Sequence, residues 1–522
     1  MTDQDAVISF LSDPASHNPR PDTVERIDTH GAHVFLAGVR AIKIKRAVRY
    51  SYLDFSTLER RRAAIEREYE INHPNAPEIY ERVAPIVRDT HGRLHLSGVG
   101  EAVASGLAVA RSARIVEWAL VMRRFKQSDL LSRRVASPGL HSDEIKSLAD
   151  AVLRSHQTAR VAHGVEQTAR FARIIAQIAE GIAASTCKVD GRQQFRVFAG
   201  ERLKRSAEIL ALRAQHGFVR RCHGDLHLDN IVMWKGQPTL FDAIEFDEDL
   251  ATIDTLYDLA FLLMDLEAHG ARAVANQVLN RYLWRSGADL DVQGLAALPL
   301  FLALRSAIRA MVGLQRAALS TDGTVKSRDC AASACLAAAL LYLQPPAPML
   351  LAIGGFSGTG KSTLAAALAP LVGAAPGAVH LRSDLERKSM FGSGETERLE
   401  STAYSAAATT KVYATLTMKA QMTLHAKHAV IVDAVFSKPD ERAEIEEVAR
   451  RESVPFRGLW LEAPHDEMAR RVAERAGDAS DATPAVVRTQ IDRGAGEITW
   501  ARIDAGGSPE SALADARRAL GI

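Results

Sequence analysis

Cysteine is scarce in this chain of 522 residues: Cys187, Cys222, Cys330 and Cys335 are all there is. None belongs to a Cys-x-x-Cys pair, so neither a zinc site nor a disulfide framework is expected. A charge of one sign is missing too. The 65 basic and 63 acidic residues leave a formal net charge of +2. That removes any global reason to expect a nucleic acid or a membrane surface as partner, although local basic clusters can still meet a phosphorylated substrate. The opening MTDQDAVISF is acidic and lacks the basic and apolar regions of a secretory leader. The longest apolar run, ACLAAALLYL (334–343), is too short to span a bilayer and is expected as a buried helix. Internal repeats and long low-complexity tracts are also lacking. The compartment expected from these absences is a reducing cytoplasm. Oligomeric state stays open.

What is present is an ordinary globular balance, 47% hydrophobic and 25% charged. A chain this long predicts two or more domains. The clearest break is QPPAP (344–348), whose three prolines end the preceding Ala/Leu-rich helix. We divide the chain into a first domain over 1–344, a Pro-rich linker over 345–348 and a second domain over 349–522. In the first, AHVFLAG (32–38) and VRAIKIKR (39–46) predict a hairpin. LDFSTLERRRAAIEREYEINH (53–73) predicts a helix with Ser56 or Thr57 as its N-cap. RIVEWALVMRRF (114–125) predicts a strand. Residues 141–218 and 251–342 are mostly helical in pattern. Between them IVMW and TLF predict short strands around a KGQP turn. The outline is α+β and bilobal, a small β-rich lobe followed by a helical one. The second domain alternates apolar strands (MLLAIGG, AVHLRSD, HAVIVDAVF, GLWLEA) with helices. That alternation predicts an α/β doubly wound parallel sheet.

GFSGTGKS (355–362) fits the phosphate-binding pattern G-x-x-x-x-G-K-[ST], with a strand before it and a helix after it. Gly355, Gly358, Thr359, Gly360, Lys361, Ser362 and the following Thr363 are the candidate ATP-binding residues. Backbone N–H groups at such a loop cradle phosphate, and the helix N-terminus adds positive potential. Lys361 is placed to reach the β- and γ-phosphates, and Ser362 to coordinate Mg²⁺. Asp433, at the carboxyl end of VIVDAVF, is either a second member of the magnesium shell or a solvated strand-end acid. Asp384, in LRSDLERK, either orients and deprotonates an acceptor hydroxyl or caps a helix. Arg387 and Lys388 beside it could hold an acceptor's anionic groups. RRVAERAGDASDATP (470–484) reads as a lid whose Arg471 or Arg475 neutralises transition-state charge, or as a plain surface helix. On the phosphate loop above all, this domain resembles the small P-loop kinases related to gluconate kinase, adenylylsulfate kinase and zeta toxin. The resemblance covers most of 349–495. It implies phosphoryl transfer from ATP to a small hydroxylated acceptor.

In the first domain, HGDLHLDN (223–230) sets His223, Asp225, His227 and Asp229 on alternate positions. Three readings are open. On an extended strand the four would share one face, about 7 Å apart, as partial metal ligands. They could also form a polar surface turn. The third reading is a catalytic loop H-x-D-x-x-x-x-N. Phosphoryl transfer needs a carboxylate at the acceptor hydroxyl and a nearby amide oxygen for Mg²⁺, and Asp225 and Asn230 have that spacing. LFDAIEFD then supplies Asp242 as a second metal-holding acid. The downstream acid favours this third reading.

This loop resembles that of the aminoglycoside and choline-type phosphotransferases, which reads HGDxxxxN. His223, Gly224, Asp225 and Asn230 match it. The resemblance runs over about 30–265 and implies a protein-kinase-like fold. It also implies further roles. Lys43 in AIK, or Lys45 on the same strand face, would pair with the nucleotide phosphates. Glu68, with Glu66 or Glu70 as alternatives, would be its helix partner. Asp258 would brace the catalytic loop, and VEWALVM would lie beside adenine. A glycine-rich G-x-G-x-x-G loop is missing from THGAHVFLAG. The whole chain resembles a bacterial group in which such a phosphotransferase domain is fused to a C-terminal P-loop ATP-binding domain. The implied activity is an ATP- and Mg²⁺-dependent kinase with two kinase-like units acting on small hydroxylated acceptors. Two alternatives stay open. In one, only the P-loop domain is active and the first domain is a sensor. In the other, the chain is a non-catalytic, ATP-dependent switch.

Overall fold

Alternating residues decide the first sheet. In a computed structural model of the chain, which describes residues 3–50, 53–97, 114–137, 139–184, 191–318, 325–475 and 477–522, β1 (Val24–Asp28), β2 (Ala32–Ala37) and β3 (Arg40–Lys45) form a meander. The expected hairpin is there, closed by Gly38 and Val39, with Gly38 at φ +58°. β4 (Arg49–Tyr50) and β5 (Leu53–Asp54) are a short antiparallel pair. β6 (Tyr80–Arg88), β7 (Leu94–Leu96) and β8 (Arg114–Arg123) complete a six-stranded antiparallel sheet in the order β1-β2-β3-β8-β6-β7. On β3 the period of two sends Ile42 and Ile44 to one face, where they pack with Val7 and Leu11 of a helix, Asp3–Ser12, that the sequence reading did not anticipate. Lys43 and Lys45 take the other face. Toward that face lies the helix Leu58–Asn72, capped by the Thr57 side chain rather than by Ser56.

β9 (Val219–Arg221) pairs with β12 (Thr252–Asp254), and β10 (Ile231–Trp234) with β11 (Gln237–Leu240). The β10–β11 turn is Lys235-Gly236, both with positive φ (50° and 79°), which suits the twist of a two-residue hairpin. Helices Gln167–Ala183, Arg192–Gln215, Leu298–Ala318 and Val325–Leu343 pack on one another. Of these, an 18-residue window, Leu298–Gln315, is long and apolar enough to cross a bilayer, and 67% of it is buried inside the protein, as in a core helix.

The last segment holds a five-stranded, all-parallel sheet in the order β14-β15-β13-β16-β17, with β13 Leu350–Gly354, β14 Val379–Arg382, β15 Val430–Asp433, β16 Phe456–Glu462 and β17 Ala501–Asp504. β13 and β15 are buried at every residue, as strands covered on both faces must be. Leu351, Ile353, Ile431, Leu459 and Ile503 pack with Leu364 and Leu368 of the helix after the phosphate loop. β17 lies past the last strand read from sequence.

By density of contacts the chain divides into residues 1–162 with 219–258, and 163–218 with 259–522. That division does not fall at 345–348. The prolines do separate helical from α/β sequence, but the helices Arg272–Ser286 and Asp289–Gln293 pack on β14 and on the helix Ala406–His425. Cys187 and the side chain of Cys330 lie outside the described residues, and Cys222 and Cys335 are unoxidised thiols, the former donating to the Ile253 carbonyl.

Candidate active sites

HGDLHLDN is not a strand. Gly224 takes φ +83°, and Leu228–Asn230 form a turn of 3₁₀ helix. The alternation that suggested a four-ligand metal face is therefore undone by the backbone. His223 is buried, its Nε2 meeting the Phe241 carbonyl and its Nδ1 accepting the Asp225 N–H. Burial lowers its pKa. His227 Nδ1 accepts the Asp229 N–H, and its Nε2 lies 3.3 Å from Asp225. Asp229 accepts a hydrogen bond from the Ser132 hydroxyl. Asp258, fully buried, accepts the N–H groups of His223 (3.2 Å) and Gly224 (2.9 Å), which fixes the loop from below.

The hairpin β10–β11 explains how Asn230 and Asp242 come together. They flank its open end, where Phe241 N–H donates to the Asn230 carbonyl. The Asn230 amide nitrogen donates to the carbonyl and the carboxylate of Asp225 (2.9 and 3.1 Å), so its Oδ1 is the group left for a cation. Asp242 sits at φ +59°, a left-handed torsion unusual for aspartate. Its N–H donates to the Tyr80 hydroxyl, and the next N–H, of Ala243, donates to Asn72 Oδ1. The Asp225 and Asp242 side chains stay 41% and 44% exposed, open to a ligand.

Lys43 donates to Glu68 (2.7 Å) and to Asp242 (2.8 Å). Lys45, the more deeply buried of the two, pairs with the other oxygen of Glu68 (2.7 Å) and with Glu245. The two lysines differ in position: Lys43 touches Asp242, whereas Lys45 touches Glu245. Glu66 and Glu70 pair instead with Arg62 and Arg67 on the helix's outer side. Loss of water, partial at Asp242 and nearly complete at Glu68 and Lys45, opposes charge on all five groups. The two ammoniums nevertheless hold Glu68 and Asp242 below the usual carboxylate range, whereas burial leaves Glu245 above it. A cavity of about 140 Å³ opens beside Lys43 and Asp242, walled by Val34, Leu36, Met122 and Phe125. It is apolar and faces the expected adenine strand, β8. The β1–β2 connection beside it is only three residues, 29–31, in place of a glycine-rich loop.

In the parallel sheet, ligand-binding groups gather at the carboxyl ends of the strands. Gly355, Gly358 and Gly360 have φ of +141°, +87° and +88°, and a side chain at Gly358 would strike the Met468 carbonyl at 2.5 Å. Lys361 Nζ donates to the Phe356 carbonyl, and Thr359 to the same oxygen. Burial lowers the Lys361 pKa, against the pull of Asp433 and Asp384. Ser362 Oγ donates to Asp433 Oδ2 at 2.5 Å, so the two candidate magnesium ligands share one spot. His380 on β14 approaches the same oxygen at 3.5 Å. Asp384 is the second residue of a helix, Ser383–Met390, and not its cap. Burial, then the Asp433 charge, raises its pKa.

Residues of the segment 470–484 meet these groups. Asp478 takes Arg382, and Asp481 takes the buried Lys388. Arg387 donates to the Ala403 carbonyl. Arg387 and Lys388 are therefore structural here, contrary to the expectation that they wait for an anionic acceptor. Arg475 pairs with Asp478 and acts on Lys361 electrostatically. Arg471 holds Glu467 and the Ala505 and Gly507 carbonyls. It lines a cavity of about 580 Å³ with Thr359, Gly360 and Thr363.

Sequence reasoning missed Glu245, Tyr80, Asn72 and His380. Glu245 lies three residues after Asp242, and His380 two residues before Arg382 on β14. Their charges were visible, but their inward facing depends on register and torsion.

Residues 92–292 match the model of the phosphotransferase enzyme family, and 350–495 match that of an AAA domain. The class is thus a kinase-type phosphotransferase joined to a P-loop nucleotide-binding domain. The chain belongs to the same family as the uncharacterized protein Rv2004c of Mycobacterium tuberculosis H37Rv, to which it is 30% identical over 517 residues, 96% of each chain. The uncharacterized protein Mb2027c of Mycobacterium bovis matches to the same extent. Among solved structures, a choline/ethanolamine kinase family protein from Mesorhizobium loti aligns with 66% of this chain and 99% of its own, at 14% identity and TM-score 0.36. A gluconokinase from Sinorhizobium meliloti aligns with 33% of this chain and 92% of its own, at 18% identity and TM-score 0.25.

Proposed function

We propose that both sites transfer the γ-phosphate of ATP to small hydroxylated acceptors. In the first, Asp225 receives or orients the acceptor hydroxyl, Lys43 holds nucleotide phosphates and Asn230 and Asp242 hold magnesium. In the second, the loop from Gly355 to Thr363 cradles the phosphates. There Ser362 and Asp433 hold magnesium, Asp384 serves the acceptor hydroxyl, and Arg475 or Arg471 meets developing charge. Bound Mg²⁺ would neutralise charge on the β- and γ-oxygens in either site. The donor sets fit it: each offers a carboxylate plus one neutral oxygen, all hard ligands.

The observation that carries this reading is the repetition of one chemical kit in two unrelated folds. Each site has a buried lysine, a metal-capable acid beside it and a second acid. Phosphoryl transfer requires little more than such positioning and charge. The test is ATP turnover by Lys361→Ala and Asp225→Ala, each assayed against a metabolite panel with products identified by mass spectrometry. Each variant should lose a different set of products. If Asp225→Ala loses none, the first site is not a catalyst. If wild type binds ATP but turns nothing over, the protein is a switch.

A further inference from the structure

The parallel sheet ends at β14, the strand that leads into Asp384. An edge strand presents unpaired backbone groups. Here they are taken by a helix from a distant part of the sequence, Arg272–Ser286, which lies within the stretch matching the phosphotransferase family. Asn276 and Asn280 both donate to the Ala378 carbonyl (3.0 and 3.2 Å), and His380 N–H donates to Asn280 Oδ1 at 2.7 Å. Trp284 Nε1 donates to the Ser389 hydroxyl (2.9 Å) and the Leu385 carbonyl (3.3 Å), both on the helix Ser383–Met390 that carries Asp384. Arg272 Nε donates to the Pro370 carbonyl at 2.7 Å. Arg281 pairs with Glu395 and stacks on Trp284.

Arg272, Asn276, Asn280 and Trp284 are spaced by four, so they form one row along the helix, about 18 Å long. The row grips the strand before Asp384 and the helix after it. Space at the contact is tight, since a side chain at Gly377 would come within 2.8 Å of Asn276 Nδ2 and 2.3 Å of the Ala369 carbonyl. The burial of Asn276 gives the contact its specificity, because a buried amide is stable only with its partners in place.

We infer that Asn280 and Trp284 are positioning residues for the P-loop site: they fix the strand–helix corner that carries Asp384. The P-loop site is then incomplete without a helix from the phosphotransferase-matching stretch. This rests on the reading of Asp384 as the group that serves the acceptor hydroxyl. Neither residue touches nucleotide-binding groups, so their loss should act on transfer and not on ATP affinity.

The test uses the full-length chain carrying Asp225→Asn, which leaves the P-loop site as the source of turnover. Trp284→Phe removes the donor and keeps a ring for Arg281. Asn280→Ala removes the strand clamp. The double variant should lower kcat at least tenfold with KM for ATP within twofold. Hydrogen exchange of peptides over 379–390 should speed up while that of 350–354 stays unchanged. Lys361→Ala in the same background is the control. If it does not abolish turnover, the P-loop reading fails, and exchange over 379–390 alone decides whether the clamp exists. Unchanged kcat and unchanged exchange in the double variant would overturn the inference. So would a parallel loss of ATP affinity and of protection at 350–354, which marks a merely structural contact.

Discussion

Lys43 and Asp242 are 199 residues apart in the chain, and Lys43 Nζ lies 2.8 Å from Asp242 Oδ1. The lysine's second bond, to Glu68, ties the same ammonium to the helix Leu58–Asn72. Lys45 bonds Glu68 from the other side and reaches Glu245 instead. The two lysines therefore divide the work. Lys43→Met should lower turnover at the first site by about 10²-fold, the scale of losing one preorganised charge donor. Lys45→Met removes the cation bonded to the buried Glu245, and breaking such a pair costs about 3–5 kcal/mol. It should depress Tm more than Lys43→Met does and turnover less. Thermal melts and single-turnover assays on both variants check the order; a larger activity loss for Lys45→Met would reverse the assignment.

Tyr80 carries a second requirement of that site. Its hydroxyl accepts the N–H of Asp242, whose left-handed torsion needs support. Tyr80→Phe keeps the ring and leaves that N–H without its acceptor, at a penalty of about 1–3 kcal/mol. We expect a matching fall in Tm and a higher half-saturating Mg²⁺ concentration for turnover at the first site, with the P-loop site unaffected. Magnesium titration of turnover in the Lys361→Ala background measures it.

The phosphate loop offers a comparison between two glycines. Gly358 and Gly360 share nearly the same positive φ. A side chain at Gly360 meets open space, whereas one at Gly358 meets the backbone of the helix His465–Glu474. Gly360→Ala should cost only the torsional strain, of order 1–3 kcal/mol. Gly358→Ala must also displace that helix, so it should destabilise more and abolish nucleotide binding at this loop. Melting curves and titration with a fluorescent ATP analogue separate the two.

Both folds were legible because their signals are local. The phosphate loop is a contiguous string, and strands buried on both faces read as apolar runs. Asp225 and Asn230 share one loop, and the hairpin over residues 231–240 brings Asp242 back to them. What could not be read needed distance or torsion. Glu245 meets Lys45 three residues after the left-handed torsion at Asp242, which sequence spacing does not reveal. The clamp on β14 joins positions about 100 residues apart, although its four-residue spacing was in the sequence throughout. HGDLHLDN misled because alternation signifies one face only on an extended strand, and Gly224 breaks the extension. Arg387 and Lys388 misled because their acidic and backbone partners lie on segments whose approach no pattern reveals.

Asp384 and Asp433 make the last comparison, since burial acts on both and its outcome differs. Asp433 has His380, Lys361 and Arg382 to outweigh burial, and its pKa is lowered. Asp384 faces burial and the Asp433 charge with less compensation, and its pKa is raised. In the unfolded chain both return to about 3.9. For Asp384 the folded state binds the proton more tightly, so stability is lost as pH rises from the unfolded value through the raised one. Asp384→Asn should therefore raise Tm at pH 7, with the gain vanishing in acid, while transfer at the P-loop site is lost. Asp433 has the opposite sign: its contribution is present above about 3.9 and lost as pH falls through its lowered value. Asp433→Asn should lower Tm at pH 7. In the wild type, transfer should rise with pH through a midpoint above the ordinary carboxylate value, because Asp384 accepts a proton only when ionised. Melts of both variants from pH 4 to about 8, beside the pH–rate profile, test the pair. A lower Tm for Asp384→Asn at pH 7 would show that its carboxylate is a structural anchor.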